Sequence, residues 1–115
     1  MTRTFIEVPI FTKRWEELGL TPDDLCELQD FLLVHPDAGV IMEGTGGIRK
    51  LRFALHNNKG KSGGVRVCYT DFTEYEVIYL ITAFSKDEKD NLSSREKAVL
   101  KKLITELKEE ASKRR

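Results

Sequence analysis

The spacing of apolar residues changes several times along the chain, and each change predicts a different element of secondary structure. Residues 3–11 are rich in β-branched and aromatic side chains and predict a first strand, with Pro9 at its end or at an edge. A short helix is expected to follow, with Trp15 and Leu18 among its apolar residues, and to end at Gly19. The chain is therefore expected to begin with a strand and a helix.

Two further helices have clear start signals. Thr21 is a suitable N-cap and Pro22 a suitable first helical residue, and the apolar stripe that follows ends at His35. Near the C-terminus, Ser93 and Glu96 have the spacing of a capping box, in which each side chain bonds the backbone N–H of the other residue. These signals predict a second helix after the first and a third at the C-terminal end.

Between these helices the apolar period is two, which is the period of a strand. In residues 47–55 apolar side chains alternate with Lys50 and Arg52, and residues 64–72 continue the alternation. Residues 75–84 are apolar at nearly every position, so they predict a central strand covered on both faces. Short connections between three consecutive strands favour an antiparallel meander.

The resulting order β, α, α, β, β, β, α predicts an α+β domain with a mostly antiparallel sheet, two N-terminal helices and a C-terminal helix. We expect the helices to pack on one face of the sheet and to leave the other face open. A chain of 115 residues forms a single domain, over residues 1–115. No apolar run approaches the ~20 residues of a membrane-spanning helix, and the N-terminus lacks the layout of a signal peptide. We therefore expect a cytoplasmic protein without membrane contact.

The cysteines and histidines do not form a pattern of metal ligands. Cys26 and Cys68 lie far apart in the sequence without CxxC spacing, and His35 and His56 are isolated. We therefore expect no metal site and no cofactor. Both cysteines are expected to pack as small apolar side chains in a reducing compartment.

Basic residues are concentrated in one part of a chain whose formal net charge is +0. Residues 44–70 contain six Lys or Arg and no Asp or Glu, whereas residues 1–43 contain three basic and nine acidic side chains. Charge alone leaves two interpretations about equally open, a solvated basic hairpin and a local binding site for a polyanion.

Strand alternation selects three of these six cations. Lys50 and Arg52 are two residues apart and share a face, and Arg66 points to the same side if the apolar residues of both strands face the core. With Lys59 and Lys61 on the connecting loop at its rim, the group would form a phosphate site on the open sheet face. The alternative is that these side chains only solvate an exposed face.

Such a group could also cleave RNA without a metal. Crowded cations favour loss of a proton from a lysine, so Lys50 is a candidate general base for a ribose 2′-hydroxyl. Arginines remain charged and would stabilise the negative charge of a pentacoordinate phosphate. Attack by the 2′-hydroxyl would restrict the reaction to RNA.

Three motifs taken together resemble one protein family. They are the glycine-rich approach to the first basic strand at residues 44–52, the segment 63–69, and the strand 77–80 that leads into residues 84–88. On these motifs the chain resembles the RelE/HigB superfamily of bacterial toxins, in its HigB-like branch. The resemblance implies a RelE-like fold and a type II toxin that enters the ribosomal A site and cleaves translated mRNA without a metal.

The resemblance also implies roles for individual residues and for partners. The expected catalytic residues, with Lys50 or Arg52 as the base and Arg66 stabilising the transition state, are Lys50, Arg52, Arg66 and Lys86. The residues expected to bind RNA or the ribosome are Arg49, His56, Lys59, Lys61 and Lys89. The expected partners are mRNA, the ribosome and a cognate antitoxin with a helix-turn-helix domain, which alone would link the toxin to operator DNA.

The chain departs from the RelE archetype at two places. Asp87 follows Lys86 where the archetype has an arginine, and Leu92 and Ser93 stand near the place of its C-terminal tyrosine. These departures leave the general acid unassigned and keep open a non-catalytic RNA- or ribosome-binding module on the same fold. A third interpretation, a protein-interaction domain, rests on the acidic N-terminal third and the basic sheet.

Overall fold

The computed structural model describes residues 2–55, 64–85 and 92–114, which form three helices, five strands and a 3-10 turn. Their order differs from the expected one only by a short additional strand before the first basic strand. In chain order the elements are β1 (Thr4–Glu7), α1 (Pro9–Glu17), α2 (Pro22–Val34), β2 (Val40–Ile41), β3 (Arg49–Phe53), β4 (Val65–Phe72), the 3-10 turn (Thr73–Tyr75), β5 (Val77–Ser85) and α3 (Ser94–Lys113).

The five strands form one sheet in the order β1-β5-β4-β3-β2. Strands β3, β4 and β5 form the expected antiparallel meander, and β1 joins the sheet parallel to β5. The predicted α+β class, with a mostly antiparallel sheet, two N-terminal helices and a C-terminal helix, is confirmed. The edge strand β2 was not predicted, since two residues are too few to show a period.

The first strand is shorter than predicted, because Pro9 begins a helix instead of ending a strand. Residues 9–11 belong to α1, in which Pro9 occupies the start of the first turn and Phe11 and Trp15 are buried. Proline suits this place because its missing N–H would have no partner in the first turn. The apolar character of residues 9–11 thus reflects a buried helix face.

The predicted start signals of the other two helices are confirmed. Thr21 and Asp24 form a capping box at α2, and Ser93 and Glu96 form one at α3. Helix α2 ends at Val34, with His35 as its C-cap. No helix of the described residues is both long and apolar enough to cross a membrane.

Helices cover both faces of the sheet, so the expectation of one open face was wrong. We call the face against α1 and α2 the α1/α2 face, and the face against α3 the α3 face. The core of the α1/α2 face includes Phe11, Trp15, Leu28, Leu32, Leu51, Phe53, Val65, Val67, Tyr69, Ile78 and Leu80. The core of the α3 face includes Ile48, Cys68, Tyr79, Ile81, Ile104, Leu107 and Ala111.

The α3 face is covered only in part, for a geometric reason. Five strands at ~4.8 Å spacing span about 19 Å, whereas a helix with its side chains is about 10 Å across. The buried partners of α3 lie mainly on β4 and β5, at positions such as Cys68 and Tyr79. Strand β3 therefore lies beside the helix, and its side chains on this face can remain polar.

The two cysteines differ in environment. Cys68 is completely buried in the core of the α3 face, as expected, but Cys26 is exposed on α2, which corrects the expectation for that residue. Cys26 is one of the residues of α2 that lie outside its buried stripe.

Candidate nucleic-acid interface

Three basic side chains of β3 and β4 lie on the α3 face. Lys50 pairs with Cys68, and Arg52 pairs with Arg66, across the antiparallel β3–β4 ladder. Arg66 in turn pairs with Phe84, which belongs to the core of the α3 face. Residues that oppose each other across strands lie ~5 Å apart and share a face. The structure thus brings Lys50, Arg52 and Arg66 together, and we call these three the basic cluster.

Burial of the cluster increases toward α3. Arg52 is exposed, Lys50 is half-buried, and Arg66 is only 5% exposed. This gradient follows from the sheet order, because β4 lies closer to the helix than β3 does. The expectation that all three lie on an open face is therefore wrong for Arg66, whose guanidinium is held within the structure.

Lys50 acts electrostatically on the buried thiol that it opposes. Burial raises the pKa of Cys68 to about 12, and the positive charge of Lys50 opposes that rise. Lys50 itself is half-buried and so more accessible than Arg66. The cluster therefore combines one fixed, buried guanidinium with two more accessible cations.

Arg49 lies on the opposite side of β3 from the cluster. It pairs with Tyr69, whose ring is in the core of the α1/α2 face. Its Nη1 donates hydrogen bonds to the carbonyl oxygens of Gly39, at 2.7 Å, and Asp37, at 3.2 Å. The Tyr69 hydroxyl donates to the carbonyl oxygen of Pro36, at 2.7 Å. Arg49 thus fastens the segment before β2 and does not join the cluster.

Two local features of the glycine-rich sequence hold the basic strands in place. The buried Thr45 Oγ1 donates to the Met42 carbonyl oxygen, at 2.7 Å, and accepts from the Ile48 N–H, at 3.1 Å. Gly64 has a φ of +76°, and a Cβ there would collide with the Phe53 carbonyl oxygen. Only glycine fits this close approach of β4 to β3. Sequence reasoning used these residues as motif positions and missed their structural roles.

Five of the predicted site residues lie outside the described residues, namely His56, Lys59, Lys61, Lys86 and Lys89. The described residues next to these segments lie at the end of the sheet that carries Arg52 and Arg66. Phe53, Val65 and Ser85 are aligned there across β3, β4 and β5.

The basic cluster is suited to binding a phosphodiester. Arginine donors recognise phosphate oxygens in fixed geometry, and lysine adds a mobile point charge. Two arginines paired across the β3–β4 ladder place like charges on one face, which does not favour the sheet itself, and such local conflicts are expected at functional sites. Among the described residues, no three His, Cys, Asp or Glu side chains are grouped as metal ligands.

Comparison with known proteins gives the class of protein that has this fold. The model of the family described as the RelE toxin of the RelE/RelB toxin-antitoxin system matches residues 11–114, and the chain belongs to this family. The protein is thus a toxin of a toxin-antitoxin system. Among solved structures, it is similar to a double arginine-to-alanine mutant of the E. coli toxin RelE in the free state. That likeness has a TM-score of 0.54 at 17% identity and covers 86% of this chain and 96% of the other, so it supports the shared fold.

Proposed function

We propose that this toxin is a ribosome-dependent, metal-independent mRNA endoribonuclease of the HigB-like branch that inhibits translation. The observation that carries the proposal is the cross-strand pairing of Arg52 with Arg66, with Lys50 on the same face. Family membership supports a toxin, and the three cations supply the charge that a phosphoryl-transfer transition state requires.

The proposed reaction is an internal transesterification of RNA. The ribose 2′-oxygen bonds to the adjacent phosphorus, and the bond from phosphorus to the 5′-oxygen breaks. The products are a 2′,3′-cyclic phosphate, which water can open to a 3′-phosphate, and a 5′-hydroxyl. Lys50 takes the proton of the 2′-hydroxyl, Arg52 keeps its charge and holds the phosphate, and a general acid gives a proton to the leaving 5′-oxygen.

Arg66 has the role that best suits a buried guanidinium. Its charge is permanent and its position is fixed by the sheet, so it can stabilise the extra negative charge of the pentacoordinate phosphate without reorganisation. By family motif, we also assign Lys86 to the catalytic group and His56, Lys59, Lys61 and Lys89 to RNA or ribosome binding. The motif includes Arg49 in that binding group, although its guanidinium contacts two backbone carbonyls.

The proposal extends to partners and location. A cognate antitoxin with a helix-turn-helix domain would neutralise the toxin and connect it to operator DNA. The ribosome and translated mRNA are the targets, which places the activity in the cytoplasm.

The decisive experiment measures cleavage of a message on programmed ribosomes. Wild-type protein is expected to cut the A-site codon and to leave a 2′,3′-cyclic phosphate and a 5′-hydroxyl, whereas Arg66→Ala should cut about 100- to 1,000-fold more slowly. Lys102→Ala, which removes an exposed cation from α3, is the matched control and should cleave normally. Thermal unfolding of all three proteins shows whether they are folded. A wild-type protein that arrests growth and leaves messages intact would contradict the proposal.

A second candidate function is a non-catalytic RNA- or ribosome-binding module. It is favoured by the engagement of two hydroxyls elsewhere, since Tyr69 donates to the carbonyl oxygen of Pro36 and Tyr79 to the carboxylate of Glu110. Neither phenol is offered to the cluster as a general acid. In this case the ribosome assay would show saturable binding that Lys50→Ala weakens, with no cut message at any protein concentration.

A further inference from the structure

One side of α3 presents polar residues to the turn that leads into β3 and to Tyr75 of the 3-10 turn. The helix packs on the sheet through Ile104, Leu107 and Ala111. Beside this buried stripe runs a second stripe at helical spacing, which lines a groove of about 450 Å³ together with Gly46 and Tyr75. Within this groove, the residues of the stripe that could contact phosphate are Lys101, Thr105, Lys108 and Ser112.

Gly46 shows which side of the helix this is. A Cβ on Gly46 would lie 3.4 Å from Cγ2 of Ile104 and 3.7 Å from Cγ of Lys101. Gly46 belongs to the turn that leads into β3, so Lys101 lies on the side of α3 that faces β3. The opposite side of the helix, which includes Val99 and Leu103, lines a different groove with residues of α1.

Lys97 extends the stripe toward the basic cluster. It precedes Lys101 by one helical turn, which is about 6 Å along the axis. Lys97 is half-buried whereas its neighbour Ala98 is exposed, as expected if Lys97 lies against the sheet. We call the stripe formed by Lys97, Lys101, Thr105, Lys108 and Ser112 the lysine flank.

The direction of α3 puts the Lys97 end of the flank nearest the cluster. Residues early in α3, such as Leu100, line a groove with Phe84, whereas Glu110 near its end bonds Tyr79. The helix therefore runs antiparallel to β5. Because Phe84 pairs with Arg66, the first turns of α3 lie at the end of the sheet that holds Arg52 and Arg66.

We infer that Lys97 and Lys101 bind the ribose-phosphate backbone of RNA and continue the basic cluster into one track along α3. The inference rests on the proposed function. Lysine and hydroxyl side chains are the common phosphate contacts of nucleic-acid interfaces, and they position the chain without reading its sequence. Two carboxylates limit the track at its far end, since Glu109 lines the groove and Glu74 lies 3.8 Å from Lys108. Lys97 and Lys101, the two lysines nearest the cluster, therefore contribute most to RNA binding.

If Lys97 and Lys101 contact only the ribose-phosphate backbone of RNA, their removal should weaken binding and leave the rate of cleavage unchanged. The double variant Lys97→Gln with Lys101→Gln keeps a polar, unbranched stem at each position and removes two charges. The probe is a ribosome programmed with a message whose A-site 2′-hydroxyls are 2′-O-methylated, so that binding is measured without cleavage. We expect binding about tenfold weaker than wild type. The plot of log affinity against log salt has a negative slope, and the magnitude of that slope should decrease by about 1.4, at ~0.7 per phosphate contact. Cleavage of unmodified message at saturating protein should keep the wild-type rate.

The matched control is Lys102→Gln with Lys113→Gln, which removes two charges from exposed positions of the same helix outside the lysine flank. This control should bind and cleave as wild type does. Equal binding by the two double variants would overturn the inference, and so would a loss confined to binding of the antitoxin. Either result can occur while wild-type protein still cleaves, so it leaves the proposed function standing. Failure of wild-type protein to cleave would instead reject the proposed function.

Discussion

The two faces of the sheet differ in what covers them. The α1/α2 face meets two helices, and its strand residues, from Leu51 and Phe53 on β3 to Ile78 and Leu80 on β5, are apolar and buried. The α3 face meets one helix, which covers β4 and β5 and leaves Arg52 on β3 exposed. Both faces have the same strands and the same pleat.

The difference shows how a small sheet can be both a core and a binding surface. Burial of apolar area stabilises the fold wherever a helix reaches the sheet, at roughly 25 cal/mol per Å². Beside α3 there is no such cover, so polar and charged side chains can stand there with little cost in stability. The basic cluster lies at this border, with Arg66 on the covered side and Arg52 on the uncovered side.

The largest expected effect on stability lies on the α1/α2 face. Leu28 is completely buried there, so Leu28→Ala should lower the free energy of unfolding by about 3 kcal/mol, through lost burial and a cavity. Chemical denaturation measures this loss. Since Leu28 is remote from the α3 face, the cleavage rate per folded molecule should stay unchanged. A selective loss of cleavage in fully folded protein would show that the two faces are not independent.

A smaller effect is expected where α3 is fastened to the sheet. The Tyr79 hydroxyl donates a hydrogen bond of 2.6 Å to Oε2 of Glu110. Tyr79→Phe removes this bond and leaves an exposed carboxylate that water can solvate, so we expect a loss of about 1 kcal/mol. An unchanged free energy of unfolding at neutral pH would mean that apolar packing alone holds the helix.

The same tyrosine predicts part of the alkaline behaviour of the protein. Burial, followed by the hydrogen bond and charge of Glu110, raises the pKa of Tyr79 from 10.0 to about 12. The folded state therefore holds this proton more tightly than the unfolded state does. Its contribution to stability is complete below pH 10 and is lost as the pH rises from 10 through about 12. The difference in free energy of unfolding between wild type and Tyr79→Phe should shrink over this range. A constant difference would contradict the raised pKa of Tyr79.

The smallest effect is expected at the uncovered end of the cluster. Arg52 is exposed, so Arg52→Ala should change the free energy of unfolding by less than about 0.5 kcal/mol. Arg66→Ala, at the buried partner position, should cost more. Denaturation of the two variants side by side tests this order. Equal losses of stability in the two variants would show that the difference in burial between Arg52 and Arg66 does not affect stability.

Much of the fold was predictable from local patterns. The capping boxes at Thr21 and Ser93 depend only on residues three positions apart, and the strand period of two places Lys50 and Arg52 on one face. By contrast, Pro9 suits both a strand end and a helix start. Pro9 begins a helix in the structure, because the helix allows Phe11 and Trp15 to be buried against the sheet.

What the sequence by itself determined is which side chains of β3 and β4 share a face, since alternation is a property of the extended backbone. Tertiary structure alone decided which face α3 covers, and hence that Arg66 is buried while Arg52 is exposed. It also engaged Arg49 with the carbonyl oxygens of Asp37 and Gly39 and brought Lys101 beside the glycine-rich turn. These outcomes depend on contacts between residues distant in sequence, which no local period encodes.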